Sequence, residues 1–340
     1  MSGPVDAPIA GSCDVRFDAV RQEFVRNFAE RGELGAAVCV VVDGVTVVDL
    51  AGGWADQARH RPWRPDTLVD YYSVGKAVIA LLALQLVDAG LVGLDVPLGS
   101  VWPEFAVAGK ETATLRHALC HRAGVPAIRE PLTNEDLWDW DRMAGALAAT
   151  EAWWEPGTRH AYHTNTYGHL VGEVVRRVSG ETCAARLGAL AGPLGADLYV
   201  GAPPDTWERC AEVVFRAPAS FDRAAIDALE GDARMEMLSY FNPPGYSSLG
   251  VVNTPEWRRA EVPSTNGHGS ARGVACLYAA LLEPGRVLST SLLAEATAPR
   301  GGWRACMPHC SSPGACSRSI CWQRRSLRSP RATARSSTTR

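Results

Sequence analysis

YYSVGKAVIALLALQLVDAG, residues 71–90, is the stretch whose reading decides the fold. From Ala77 to Val87 nearly every residue is apolar, which predicts a helix buried on most of its surface rather than along one stripe. Ser73 and Lys76 stand where a polar turn runs into that helix. Residues three apart on a helix share a face, with Cβ atoms roughly 5–6 Å apart, so the Lys76 ammonium reaches back to the Ser73 hydroxyl. A serine hydroxyl is a weak nucleophile until a base takes its proton. A lysine drawn into an apolar setting loses part of its affinity for a proton, which makes it a partner for that step. The helix N-terminus adds backbone N–H groups and a partial positive charge where an oxyanion would form. Bare S-x-x-K strings are common and a serine at a helix start often only caps it, so the pair needs support from the rest of the chain.

Working outward, AAVCVVVDGVTVVDL holds two β-rich runs, Ala37–Val42 and Val45–Leu50, around Asp43-Gly44, the pattern of an antiparallel hairpin. Before it, Phe17, Val20, Phe24 and Phe28 recur at three- and four-residue steps within residues 14–32, an amphipathic helix closed by Gly32. After the buried helix the chain reads as mostly helical. A short helix is expected over Thr114–Cys120, another over Glu135–Glu151, and a third over Leu170–Val178 ending at Ser179-Gly180. Helix-forming segments continue to Leu229, FNPPGYSSLG at 241–250 reads as a loop, and residues 270–282 and Leu288–Ala296 as further helices. A hairpin followed by a helical middle points to an α+β plan, helices packed on an antiparallel sheet.

With 340 residues, 46% hydrophobic and 21% charged, the chain has the composition of a globular protein with ample core. A formal charge of −3 gives no reason to expect nucleic acid or an anionic membrane as partner. The helix after Ser73 is interrupted by Gln85 and Asp88, so no run is long enough to cross a bilayer. MSGPVDAPIAGSCDV lacks a basic segment followed by an apolar one, and the six cysteines before residue 300 have no paired spacing. Both lead to the expectation of a cytoplasmic protein with free thiols.

Tyr162-His163-Thr164-Asn165-Thr166-Tyr167-Gly168 is the second unusual stretch: a phenol, an imidazole, hydroxyls and an amide in one loop before an apolar helix. Such polar density suits a binding cleft, although a hydrogen-bonded helix cap would use the same residues. Together with Ser73-Val74-Gly75-Lys76, which matches the nucleophile motif S-x-x-K, this loop resembles the serine β-lactamase and penicillin-binding-protein superfamily, in particular class C β-lactamases and the related esterases. Tyr162-His163-Thr164 takes the place of that family's Y-x-N. GGWAD at 52–56, WPEF at 102–105, HRAGVP at 121–126, WEPGT at 154–158 and NGHGSARG at 266–273 extend the resemblance over roughly residues 15–300. It implies a β-lactamase/DD-peptidase-like α+β fold with a mostly helical subdomain over roughly 90–230. It further implies Ser73 as nucleophile, Lys76 as the group sharing its proton, Tyr162 as general base and then acid, and Thr164, His163 and His268 as weaker substrate-binding candidates. The activity implied is hydrolysis of small carboxylic esters through an acyl-serine, with no cofactor and no metal. Acyl transfer by the same mechanism, β-lactamase or DD-peptidase action, and a catalytically impaired homologue are the alternatives, the substrate being a small ester or amide.

The family's third motif, Lys-Thr-Gly or His/Trp-x-Gly on a late strand, has no counterpart in residues 301–340. That segment holds eight Arg, eight Ser and four Cys with no acidic residue or Lys; removing its charge from the total leaves −11 on residues 1–300. It reads as an aberrant tail, disordered or frame-shifted, with the last sheet strands missing. Residues 1–13 read as an N-terminal tail and 14–300 as the hydrolase domain. Thr164 in place of Asn removes the amide that would meet an acylamide side chain, which favours ester over β-lactam. His117 and His121, four apart beside Cys120, lack a third zinc ligand, and His121 reads as a turn brace.

Overall fold

The computed structural model describes residues 7–215 and 222–298. Its first unit is a three-stranded antiparallel sheet: β1 (Ile9–Cys13), β2 (Gly35–Val42) and β3 (Val45–Gly53), with β3 in the middle. Asp43 and Gly44 both take positive φ, 49° and 76°, so the hairpin closes in the tight turn that matches strand twist. Val42 faces Val45 across it. Helix α1 (Asp18–Glu30) lies against this sheet through Phe24 and Phe28, whose rings meet edge to face at 5.3 Å.

Ile9–Cys13 corrects one expectation. The stretch expected as tail is a strand, with Ile9 opposite Gly52 and Cys13 opposite Val48. IAGSC has no β-rich run of its own; the unpaired edge of β3 recruits it. The aberrant tail expected over 301–340, and with it the expected loss of the last sheet strands, lies outside the described residues.

β4 (Val69–Asp70) leads directly to α2 (Val74–Asp88), the centre of the main core. Every residue of α2 from Gly75 to Leu84 is buried, and Leu86 as well. Burying each of its Leu and Ile side chains stabilises the fold by about 1.5–3 kcal/mol. Helices α6 (Thr166–Ser179) and α7 (Cys183–Ala191) pack on α2; α3 (Leu115–Leu119) and α5 (Trp140–Ala149) pack on α6, and α4 (Asn134–Leu137) on α5. The single helix expected over 135–151 is two, because the Asp139 side chain accepts the Arg142 N–H and starts α5 afresh. Helix α6 begins four residues earlier than expected, within the polar motif itself.

The chain then returns through β5 (Leu198–Tyr199), α8 (Arg223–Asp227), α9 (Gly231–Phe241), α10 (Pro255–Arg259), β6 (His268–Gly269), α11 (Ala271–Leu282) and α12 (Thr290–Thr297). β6 pairs antiparallel with both β4 and β5, which fastens the residues before α2 to the end of the chain's middle part. Among the described residues no helix is long and apolar enough to cross a membrane.

Candidate active site

Ser73 is the residue just before α2, and its side chain makes no capping bond. Its backbone is held by a corner in which Tyr72 takes φ 46°, a conformation uncommon outside glycine. The hydroxyl is free for other partners, and Lys76 Nζ donates to Ser73 Oγ at 3.1 Å. The same ammonium donates to the Ser264 carbonyl at 3.1 Å. Lys76 is buried, with burial alone lowering its pKa to about 7.

Two glycines let Ser264 come this close. A Cβ on Gly75 would lie 2.2 Å from the Pro263 carbonyl oxygen, and one on Gly168 would lie 2.5 Å from Ser264 N. The 263–266 segment therefore rests against the first turns of both α2 and α6. Asn266 holds its shape: Nδ2 donates to the Trp257 and Ala260 carbonyls, and Oδ1 accepts from Val262 N–H. Asn165 ties it to α6 and α9, accepting from Thr265 Oγ1 at 2.6 Å and donating to the Ser239 carbonyl at 2.8 Å. These residues are polar and fully buried, so each needs its partners.

Tyr162 completes the cluster. Its ring lies 4.9 Å from Lys76 Nζ. Burial raises the phenol's pKa and the neighbouring Ser73 hydroxyl opposes that rise. The structure thus brings Tyr162 up to Ser73 and Lys76, although it stands 86 positions after Lys76 in the chain. A hydroxyl, an amine that is half neutral near pH 7 and a phenol in mutual reach can pass a proton among them.

The other sequence candidates are placed differently. His163 is fully buried, with Nε2 accepting from Val125 N–H at 3.3 Å and Nδ1 paired with the Ala161 carbonyl at 2.8 Å. Burial lowers its pKa to about 4. Its ring nitrogens are held by the backbone of Val125 and Ala161, which braces the loop behind Tyr162. His268 is likewise buried on β6, its Nδ1 paired with the Asn266 carbonyl at 2.8 Å and its pKa lowered to about 4 by burial. Thr164 is half-buried, its hydroxyl 3.4 Å from Ser239 Oγ on α9. His121, which the sequence suggested only as a turn brace, packs its ring 4.8 Å from Tyr162 and 4.7 Å from Tyr167 and accepts from His163 N–H at 3.0 Å. Its positive φ of 58° was the missing sign: a histidine forced into that backbone region aims its ring at a fixed target.

Over residues 20–305 the sequence matches the family model described as Beta-lactamase, and the chain belongs to that family. It is 33% identical to the esterase/beta-lactamase LipL of Mycobacterium tuberculosis over 82% of this chain and 66% of that protein. It is 32% identical to esterase EstB of Burkholderia gladioli over 55% of this chain and 51% of the other. A crystal structure of a family VIII carboxylesterase superposes with a TM-score of 0.76 at 37% identity, covering 86% of this chain and 77% of that one. The chain thus spans between half and two thirds of the length of these two curated relatives.

Proposed function

We propose that the protein is a serine hydrolase of small carboxylic esters, acting through an acyl-Ser73 intermediate. The observation that carries this reading is the Lys76 amine, buried in the core and held 3.1 Å from the Ser73 hydroxyl. Neutral Lys76 takes up the proton as Ser73 Oγ attacks the ester carbonyl, the Tyr162 phenol relaying it by giving its own proton to the amine as it accepts that of Ser73. The proton then passes to the departing alkoxide, and water repeats the cycle on the acyl-enzyme. The Ser73 backbone N–H at the start of α2 serves as one oxyanion donor.

Ester is favoured over β-lactam or peptide because Thr164 offers a hydroxyl engaged by Ser239 where an acylamide side chain would need an amide. The name of esterase EstB points the same way, while that of LipL covers both esterase and beta-lactamase. Among the described residues the six cysteines form no disulfide with one another, which fits a reducing compartment and supports a cytoplasmic setting. Rapid mixing with p-nitrophenyl acetate tests the proposal. A burst of nitrophenol equal to the enzyme concentration, absent in Ser73→Ala, is expected; nitrocefin turned over faster than the ester would move the protein to the β-lactamase reading, and folded protein without a burst to the impaired one.

A further inference from the structure

The corner that presents Ser73 is built around a buried carboxylate outside the reacting triad. Asp70 ends β4 and is 5% exposed. Its Oδ1 accepts the Tyr72 N–H at 2.9 Å, and its Oδ2 accepts the Trp257 indole N–H at 3.0 Å. Trp257 is fully buried and its ring meets Trp138 edge to face at 6.4 Å, so the indole is fixed from behind. The Tyr72 amide belongs to the residue whose φ of 46° turns the chain from strand to helix. Tyr71, between them, is clamped as well: its N–H donates to the Gly267 carbonyl at 2.8 Å and its hydroxyl to the Tyr199 carbonyl at 3.0 Å.

We propose that Asp70, locked by Trp257, is a positioning residue for acylation: it holds the strained Tyr72 corner so that Ser73 Oγ stays within reach of Lys76. This rests on Ser73 being the nucleophile. A non-glycine residue at positive φ persists only where its surroundings over-determine it, and the Asp70 carboxylate is the side-chain group bonded to its amide. Both carboxylate oxygens are spent on N–H donors from different elements. Asparagine is therefore a poor substitute, because its NH₂ must face one of those two donors. Burial raises the pKa of this carboxyl, and the Tyr72 and Trp257 N–H donors oppose that rise by stabilising the charged form.

The test uses the full chain and three variants: Asp70→Ala, Asp70→Asn and the double variant Asp70→Asn with Trp257→Phe. Stopped-flow acylation by p-nitrophenyl acetate separates the acylation rate at saturation from the apparent substrate dissociation constant. Asp70→Ala and Asp70→Asn are expected to slow acylation about tenfold to a hundredfold while the dissociation constant stays within about twofold. Removing the indole donor lets the asparagine oxygen serve Tyr72 alone, so the double variant is expected to recover acylation relative to Asp70→Asn although Trp257→Phe costs stability. Amide hydrogen exchange over residues 70–76 supplies a readout independent of catalysis, with exchange at Tyr72 expected about tenfold faster in Asp70→Ala. Unchanged exchange at Tyr72, or an acylation rate in Asp70→Ala equal to wild type, overturns the inference. Rates that fall only in proportion to the unfolded fraction overturn it too. A wild type that is never acylated at Ser73 is the separate failure of the hydrolase reading, and the exchange measurement still decides the geometry.

Discussion

Replacing Lys76 with methionine should abolish activity and yet stabilise the fold at neutral pH. The ammonium sits in the core, where burial lowers its pKa from the usual 10.5 to about 7. That drop makes the charged form about 4–5 kcal/mol less favourable in the folded chain than in the unfolded one. Against this stand two hydrogen bonds, to Ser73 Oγ and the Ser264 carbonyl, worth about 1 kcal/mol each. Methionine fills a similar volume without the charge, and leaving the Ser264 carbonyl unpaired costs about another 1 kcal/mol. The net expectation at pH 7 is a gain of about 1–2 kcal/mol. The pH dependence is the sharper part. The unfolded chain keeps the lysine proton up to about 10.5, whereas the folded chain releases it near 7. Between those limits the unfolded state binds more protons, so the wild type gains stability as pH rises. Its disadvantage relative to Lys76→Met should shrink by about 2 kcal/mol from pH 7 to pH 9. Urea unfolding of both proteins at pH 7, 8 and 9 measures this, every other titrating group being common to the two. A stability difference that stays level across that range, or a methionine variant that is the less stable at pH 7, refutes the picture of an uncompensated buried amine.

Three further predictions concern the same site. Ester kcat/KM should climb with pH through about 7 as Lys76 loses its proton and becomes able to accept one from Ser73, and a rate level from pH 5.5 to 8.5 would speak against that role. Tyr162→Phe should lower kcat by about 10²–10³ with little loss of melting temperature, because the side chain is 40% exposed; turnover within threefold of wild type would remove Tyr162 from the mechanism. Gly75→Ala should cost at least about 2 kcal/mol in urea unfolding, since the new methyl meets the Pro263 carbonyl 2.2 Å away and pushes Ser264 off Lys76; an unaltered midpoint would mean that the loop yields freely.

Much of this architecture is legible in the sequence where local chemistry decides it. Asp43-Gly44 names its own turn, and the apolar run after Ser73 admits only a buried helix. The S-x-x-K spacing places amine and hydroxyl on one face without any tertiary knowledge. What stays hidden depends on partners far away in the chain. β4, β5 and β6 are two residues each, too short for any periodicity to register, although they fix the corner before Ser73. Ser264, Thr265 and Asn266 are polar and follow a proline, which suggests surface, but hydrogen bonds from Ser264 and Thr265 to the two helix starts and from Asn266 to Trp257, Ala260 and Val262 take them inside. His163 and His268 show the converse: imidazoles beside the motifs at 162–168 and 266–273 invite a cleft reading, while the backbone of Val125, Ala161 and Asn266 engages them in buried positions. Asp70 and Trp257 are 187 residues apart, and nothing in either neighbourhood announces the other.

The most direct test of the assembled site is mass spectrometry of the full chain after exposure to a fluorophosphonate. One adduct per chain, mapped to the peptide carrying Ser73, lost in Ser73→Ala and slowed in Lys76→Met, is the outcome expected if the alcohol, amine and phenol work as a unit. Natively folded protein that gains no adduct, or gains it on another residue, would contradict the account.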